Sequence, residues 1–533
     1  MARILVADEL SEEGLDLLRQ RHEVELRTGM SEDDLVAAVA HVQALVVRSQ
    51  AQVTRRVIEA GADLVVIGRA GVGVDNIDVD AATEFGVTVV NAPLANTIST
   101  AEHTMAMMLA FARHIPRGDA SLRGGRWERS RLMGLELQGR TLGIIGLGRI
   151  GTEVARRARS FDMRVLAFDP FVTRERASAL GVETVEMDEL LAQSDVVTIH
   201  TTLNEASRGL LGAAQFARMK PTAYLVNCAR GALVDEQALY DAVEAGTIAG
   251  AAIDVFSVEP AVGNILTTSE RIVVTPHLAA STAEAQTRAA IDTAEQIIDV
   301  LDGRPARFAV NVAAVDPETM AVIGPYIDAA QLAASLARQL APGRVERAVI
   351  TYLGEIANHE SAPLRAAVIA GILRGATEEK LSIVNAARVA EQHGIRLDED
   401  RGLARAPYSN LVSVTVHSMD GGPHAVTVAA THTSAGASAV SVAGFEGIEI
   451  AAGSAPYALA IENVDRPGMV GQVGMLLGQW DVNVNYMSVS ASNVENRALM
   501  VLGINRPLTE DESAAVSGLP NVFSARLLDL GLD

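Results

Sequence analysis

Lysine is almost missing from this chain: Lys220 and Lys380 are the only two in 533 residues. Any clamp on an anionic group therefore has to be a guanidinium. Cysteine is rarer still. Cys228 stands alone, which excludes an intrachain disulfide, fits a reducing compartment and leaves the thiol no redox partner. No apolar run reaches the ~18 uncharged residues of a membrane span, and the first residues, from Met1 to Asp8, lack the basic and long apolar regions of a signal peptide. The expectation is a cytoplasmic protein with no membrane partner. Positive charge is short as well: the net charge is -22 and no arginine-rich run breaks the acidic background, which argues against nucleic acid as a partner. No tandem repeat, no low-complexity segment and no spaced His or Cys cluster that would complete a metal site is found in the sequence.

What the chain does have is length and alternation. Its 533 residues call for three or four domains. Short apolar runs at 4–7, 44–47, 64–67 and 87–90 read as buried parallel strands between amphipathic stretches. Residues 100–113 read as a helix capped by Ser99 or Thr100, with an apolar surface suited to joining two lobes and to self-association. A second series begins at Leu142 and continues through 165–168, 196–199, 224–226, 251–253 and 272–274, six strands that fit a doubly wound nucleotide domain. Helical spacing over 283–301 then leads back to the first lobe. The expected division is a discontinuous substrate lobe, 1–98 with 284–306, and an inserted nucleotide domain, 99–283. An α+β unit at 307–452 follows, helical over 317–340, mixed to His393 and strand-like over 411–450. A small-residue linker at 451–456 leads into a last unit, 456–533, which reads as βαββαβ, a split βαβ fold.

The chemistry sits at strand ends. Gly146-Leu147-Gly148-Arg149-Ile150-Gly151 closes a strand and opens a helix: Gly146 permits a tight turn, Gly148 admits a pyrophosphate to the backbone, and Gly151 allows close helix packing. Asp169 ends the next strand, where a carboxylate accepts from ribose hydroxyls and repels a 2'-phosphate. NAD is thereby favoured, although Arg174 and Arg176 leave NADP open. Arg230, after the strand at 224–226, offers a fork for a carboxylate or a ketone. Glu259 and His277 follow strands of the same series, so topology brings an imidazole able to take a hydroxyl proton beside a carboxylate able to hold its tautomer. The set suits oxidation of a hydroxy acid by a nicotinamide cofactor.

These segments, with Gly68-Arg69-Ala70-Gly71-Val72-Gly73-Val74-Asp75-Asn76-Ile77 and Thr275-Pro276-His277-Leu278, resemble the D-isomer-specific 2-hydroxyacid dehydrogenase family over essentially the whole chain. Glu462-Asn463-Val464-Asp465-Arg466-Pro467-Gly468 and Asp481-Val482-Asn483-Val484-Asn485 resemble an ACT domain. That tail, behind an intervening domain, marks the long branch of the family that oxidises 3-phospho-D-glycerate to open serine biosynthesis. The resemblance implies two Rossmann-like lobes, Arg230, Glu259 and His277 as the catalytic set, and Arg48, Arg69 and Asn96 with Arg230 in the substrate cleft. It implies NAD contacts at Val72, Arg149, Ile150, Asp169, Thr201, Cys228, Ala229 and Asp254 beside the glycines. It also implies L-serine as an effector at Asn463, Asp465 and Asn483, and a homo-oligomer, dimeric or tetrameric, with a phosphorylated 2-hydroxy acid as substrate.

Ala95 and Ala279 stand where the family commonly has glycine, so each methyl would strain its loop if φ is positive there. Val489-Ser490-Ala491 replaces a Val-Gly-Arg-like turn of ACT relatives, some of which carry histidine at the position of Asn463. Two alternatives stay open on the residues: another D-2-hydroxy acid, or 2-oxoglutarate reduction, at the same site, and a non-catalytic NAD sensor akin to corepressor relatives, which lack this tail.

Overall fold

A computed structural model describes residues 1–312, 315, 317–375, 381–420, 422–434, 436–492 and 496–531. The first lobe is a five-stranded parallel sheet in the order Glu23–Leu26, Arg3–Val6, Ala44–Val47, Val66–Arg69, Thr88–Asn91. Its interior strands are the continuous apolar runs that a sheet covered on both faces requires. The sequence reading missed Glu23–Leu26, because Glu-Val-Glu-Leu carries the charge that suits an exposed edge. Helix Ala283–Leu301 returns to this lobe as expected, and Ala294, Ile297 and Ile298 pack with Ile4, Val6, Leu15 and Val90. Beyond it the chain runs along the open edge of Thr88–Asn91. Val90 bridges Ala309, the Val310 amide donates to the Val89 carbonyl at 2.7 Å, and the Asn311 side chain accepts from the Val89 amide at 2.9 Å.

The second sheet has seven parallel strands, not six, in the order Ile272–Val274, Gly250–Ile253, Tyr224–Asn227, Val196–Ile199, Thr141–Ile145, Arg164–Phe168, Glu183–Thr184. The extra strand is a two-residue polar edge too short to show a pattern. The order reverses between Thr141–Ile145 and Val196–Ile199, the crevice where doubly wound folds bind dinucleotides. The connector helix spans Thr97–Ala112 and is capped by Asn96, not by Ser99 or Thr100. Ser99 lies inside the first turn, its hydroxyl donating back to the Asn96 carbonyl at 3.1 Å. The apolar side of this helix is spent within the chain: Met105, Met107, Met108 and Phe111 join the nucleotide-domain core, and Phe111 stacks on Tyr224. It is therefore not a surface left for a second copy. Exposed apolar side chains occur instead at Ile115, Leu122, Trp127 and Met133.

The third unit is a six-stranded mixed sheet whose order is Arg396–Gly402, Arg344–Gly354, Asn410–Met419, Pro423–Thr433, Gly436–Val442, Phe445–Ala451. Arg344–Gly354 falls in the stretch expected to be mixed, whereas Arg396–Gly402 escaped the sequence reading, since Arg-Leu-Asp-Glu-Asp-Arg-Gly has no apolar face and becomes a strand by pairing in parallel with Arg344–Gly354. Among the described residues one helical stretch, Glu318–Leu340, is long and apolar enough by composition to cross a membrane, and half of its apolar window is buried inside the chain. The last unit follows the order βαββαβ, with antiparallel strands arranged Val484–Ala491, Arg497–Ile504, Tyr457–Val464, Val522–Asp529. Residues 451–456 are not a loose linker. Ala458, Ala460, Leu499, Val501 and Leu528 share one core with the preceding sheet, and Ala455 is buried between them in sequence.

Candidate active site

The glycine loop behaves as its spacing requires. Gly146 has φ +96°, and a Cβ there would come within 2.7 Å of the His200 carbonyl oxygen; one on Gly151 would overlap the Gly146 carbonyl. Gly148, the N-cap of helix Arg149–Ser160, has no atom within 4 Å of its would-be Cβ, so its backbone faces open space at a helix N-terminus. This open cradle fits the pyrophosphate of a dinucleotide. Asp169 also fastens the loop: its carboxylate accepts the Leu147 amide at 2.8 Å and the Phe171 amide at 2.9 Å. Arg149 reaches across to the Pro93 carbonyl of the first lobe at 3.3 Å. Gly148→Ala is expected to leave the thermal unfolding midpoint unchanged and to weaken NAD binding about tenfold or more; dye-monitored melting and a fluorescence titration check both halves.

Thr201 follows His200 at the end of Val196–Ile199, against Gly146. The His200 Nε2 meets Thr198 Oγ1 at 3.0 Å, while its Nδ1 is buried without a partner, and burial pushes the ring down to about 4. Histidine in an unfolded chain titrates near ~6.5, so between ~6.5 and ~4 the unfolded state binds more protons and stability falls as pH drops. Melting curves from about pH 7 to about 4.5 should show a shallower acid loss in His200→Gln than in the wild type. Parallel slopes would remove His200 from the account.

His277 and Glu259 meet as the sequence implies. His277 Nδ1 lies 2.8 Å from Glu259 Oε2, and Oε1 of the same carboxylate accepts the Phe256 amide at 3.0 Å. A carboxylate on Nδ1 makes that nitrogen the N–H donor and leaves Nε2 as the basic one. The backbone of His277 is left-handed, φ +55°, which sequence gave no sign of. Ala279 and Ala95 are buried, and neither has positive φ, so the added methyls bring no backbone strain. Asp254 sits behind His277 with its carboxylate wholly buried, accepting from Thr275 Oγ1 at 2.6 Å and from the amides of Leu278 and Ala279. The Cys228 side chain is turned into the nucleotide-domain core, where burial and then the charge of Asp254 push its thiol up.

Arg230 leaves the end of Tyr224–Asn227 on a turn locked by Asn227, whose amide group takes the Ala229 N–H and donates to the Arg230 carbonyl. Its guanidinium donates to the Ala229 carbonyl at 2.8 Å and lies 3.6 Å from Asp75. Arg69 is half-buried, and its Nε is shut from solvent without a partner; burial first, then the charges of Arg230 and Arg48, lower it to about 10. The Arg48 amide is held at 2.5 Å by the buried Asp8 carboxylate. A cavity of about 920 Å³ between the lobes brings together Arg48, Arg69, Val72, Asn96, Arg230, Glu259 and His277. Three guanidiniums beside an imidazole and its carboxylate can hold a doubly anionic substrate while a proton is removed.

Asp8, Asp75, His103 and Thr275 touch this machinery; Asp75 and Thr275 stand in the quoted motifs without an assigned role, and Asp8 and His103 were given none either. Asp8 and Thr275 were within reach, since both follow parallel strands as Arg230 does. In the last unit the three effector candidates separate. Asn463 is buried, donating to the Val464 carbonyl with its Oδ1 unpartnered, whereas Asp465 and Asn483 are exposed and Asn483 donates to Asn485.

Residues 105–279 match the D-isomer specific 2-hydroxyacid dehydrogenase NAD binding domain, and residues 322–438 match the D-3-phosphoglycerate dehydrogenase intervening domain. The chain is 40% identical over 531 residues to the D-3-phosphoglycerate dehydrogenase of Synechocystis sp., covering 99% of this chain and 95% of that one. It is 39% identical to that of Bacillus subtilis, covering 99% and 100%. Among solved structures, the TT0316 protein of Thermus thermophilus aligns with a TM-score of 0.54 at 36% identity, and D-lactate dehydrogenase of Escherichia coli with 0.53 at 30%. Each spans 58% of this chain and 99% of its own.

Proposed function

Since the chain belongs to the D-3-phosphoglycerate dehydrogenase branch of the D-isomer-specific 2-hydroxyacid dehydrogenase family, we propose that it oxidises the C2 hydroxyl of 3-phospho-D-glycerate to give 3-phosphohydroxypyruvate. The supporting observation is the grouping of Arg48, Arg69 and Arg230 around the His277–Glu259 pair in one cleft. Arg69, half-buried and with its buried Nε unpartnered, gains most from an anion between the three guanidiniums. Two of them suit a phosphate and one a carboxylate, the two anionic ends of this substrate. In this reading His277 Nε2 takes the hydroxyl proton, and Glu259 stabilises the imidazolium so formed. Arg230 holds the substrate carboxylate and polarises the forming ketone. NAD, when bound along the loop Gly146 to Gly151 and Asp169, supplies the hydride acceptor. Val72, Arg149, Ile150, Thr201, Ala229 and Asp254 belong to its surroundings in the same reading, with Cys228 contributing no thiol contact.

The finer parts of the proposal are a cytoplasmic homo-oligomer and L-serine as effector at Asn463, Asp465 and Asn483. The exposed apolar set of Ile115, Leu122, Trp127 and Met133 supports self-association, and the unpartnered buried Oδ1 of Asn463 supports a polar ligand. The test is a steady-state assay with NAD and a panel of D-2-hydroxy acids, with and without L-serine. Preference for 3-phospho-D-glycerate, with lower activity when serine is present, is the expected result. A preference for an unphosphorylated acid would overturn the substrate, and indifference to serine would overturn the effector.

A further inference from the structure

The turn that carries His277 is gripped at two points by one residue. The His277 amide donates to the Asp254 carbonyl at 2.8 Å, and the next two amides, Leu278 and Ala279, donate to the Asp254 carboxylate at 2.8 and 3.0 Å. A residue with a side chain keeps a φ of +55° only where its surroundings over-determine it, and Asp254 supplies that restraint. The grip needs Asp254 ionised. Burial alone would raise its pKa, but hydrogen bonds from His103, from Thr275 and from the Leu278 amide outweigh burial and hold the carboxyl below its ordinary value.

His103 differs from the other donors in origin. Thr275, Leu278 and Ala279 belong to the turn itself, whereas His103 lies 151 residues from Asp254 in sequence, on the connector helix that starts at Asn96 in the cleft. Its Nε2 stands 3.1 Å from Asp254 Oδ1. Because an ionised carboxylate only accepts, that nitrogen carries the proton. The preceding residue, Glu102, pairs with Arg157 on the helix behind the glycine loop at 3.1 Å, so this part of the connector helix is fixed on both sides. Ligand atoms of His103, Cys228 and Asp254 also lie within 4.8 Å of one another. Both oxygens of Asp254 already accept hydrogen bonds, which makes the cluster a hydrogen-bonded clamp and not a cation site.

We infer that His103 is a positioning residue for the reaction: from the connector helix it orients Asp254, and through Asp254 it fixes the turn that aims the His277 imidazole. The inference rests on the reading of His277 as the group that takes the proton. It links the element joining the two lobes to the aim of the base, through the 3.1 Å contact with Asp254 and a longer one, 3.4 Å, from the same nitrogen to Thr275 Oγ1.

The test compares His103→Leu, His103→Gln and His103→Asn in the full chain, using whichever D-2-hydroxy acid the wild type oxidises. Leucine removes the donor, and kcat should fall about tenfold or more while KM for the acid stays within about twofold, because the cleft arginines are untouched. Glutamine places an N–H near the position of Nε2 and should recover kcat to within about threefold of the wild type. Asparagine is too short to reach Asp254 and should behave like leucine, which keeps the comparison decisive even if the leucine variant does not fold. Equal rates for the Asn and Gln variants, or a kcat for His103→Leu within about twofold of the wild type, would overturn the assignment. A preferred acid other than 3-phospho-D-glycerate would sink only the substrate reading, whereas a near-normal rate in a parallel His277→Ala control would sink both.

Discussion

Replacing His277 with alanine is expected to lower kcat by roughly 10²- to 10⁴-fold, the range that a well-placed general base contributes. NAD affinity, read by nucleotide fluorescence, should change little, since the glycine loop and Asp169 lie on other strands of the sheet. Alanine is the right substitution here. It retains a Cβ at φ +55°, so the backbone cost of the turn carries over and the loss reports the imidazole. A variant with kcat within about threefold of the wild type would show that some other group takes the proton.

Arg230→Lys keeps the charge and removes the fork. The Arg230 guanidinium is set by a donation to the Ala229 carbonyl and by nearby Asp75, on a turn that Asn227 locks from both sides. An ammonium on a flexible stem cannot make two parallel bonds to a carboxylate or hold a ketone oxygen in the same geometry. The expected loss is about 10²-fold in kcat/KM, with KM for the acid raised as well, because the group acts on both ground state and transition state. A lysine variant within about fivefold of the wild type would move substrate recognition to Arg48 and Arg69.

Much of this site was legible because strands and their ends leave a signature. The apolar runs located the parallel sheets, and in a parallel sheet the residues that follow the strands gather at one edge. Arg230, Glu259 and His277 could therefore be placed together from positions far apart in sequence. Elements that depend on pairing more than on composition were lost. Glu23–Leu26 and Arg396–Gly402 are strands because a neighbour supplies their hydrogen bonds, and their charged residues hide them. The connector helix was recognised, but its cap was misplaced, since Ser99 is a good capping residue that here bonds back into the first turn. Its apolar surface read equally well as interface or as core, and only packing against Tyr224 decides that it is core. The left-handed backbone of His277 and the buried, unpaired Nε of Arg69 are outcomes of tertiary structure, with no local pattern to announce them.

The strip of chain running past Ala309 to Asn311 along Thr88–Asn91 governs how the protein can be cut. A fragment stopped at the Gly303-Arg304-Pro305 turn would keep both lobes and the whole of helix Ala283–Leu301. It would nevertheless take from Val89 and Asn91 the carbonyl and side-chain oxygens that receive their amides, leaving a raw strand edge open to pairing with any other chain. The complementary tail fragment would begin with a dangling arm that has lost its seat. Scissors placed just beyond Asn311 part the chain without tearing this seam, and dissection of the two lobes from the C-terminal units should begin there.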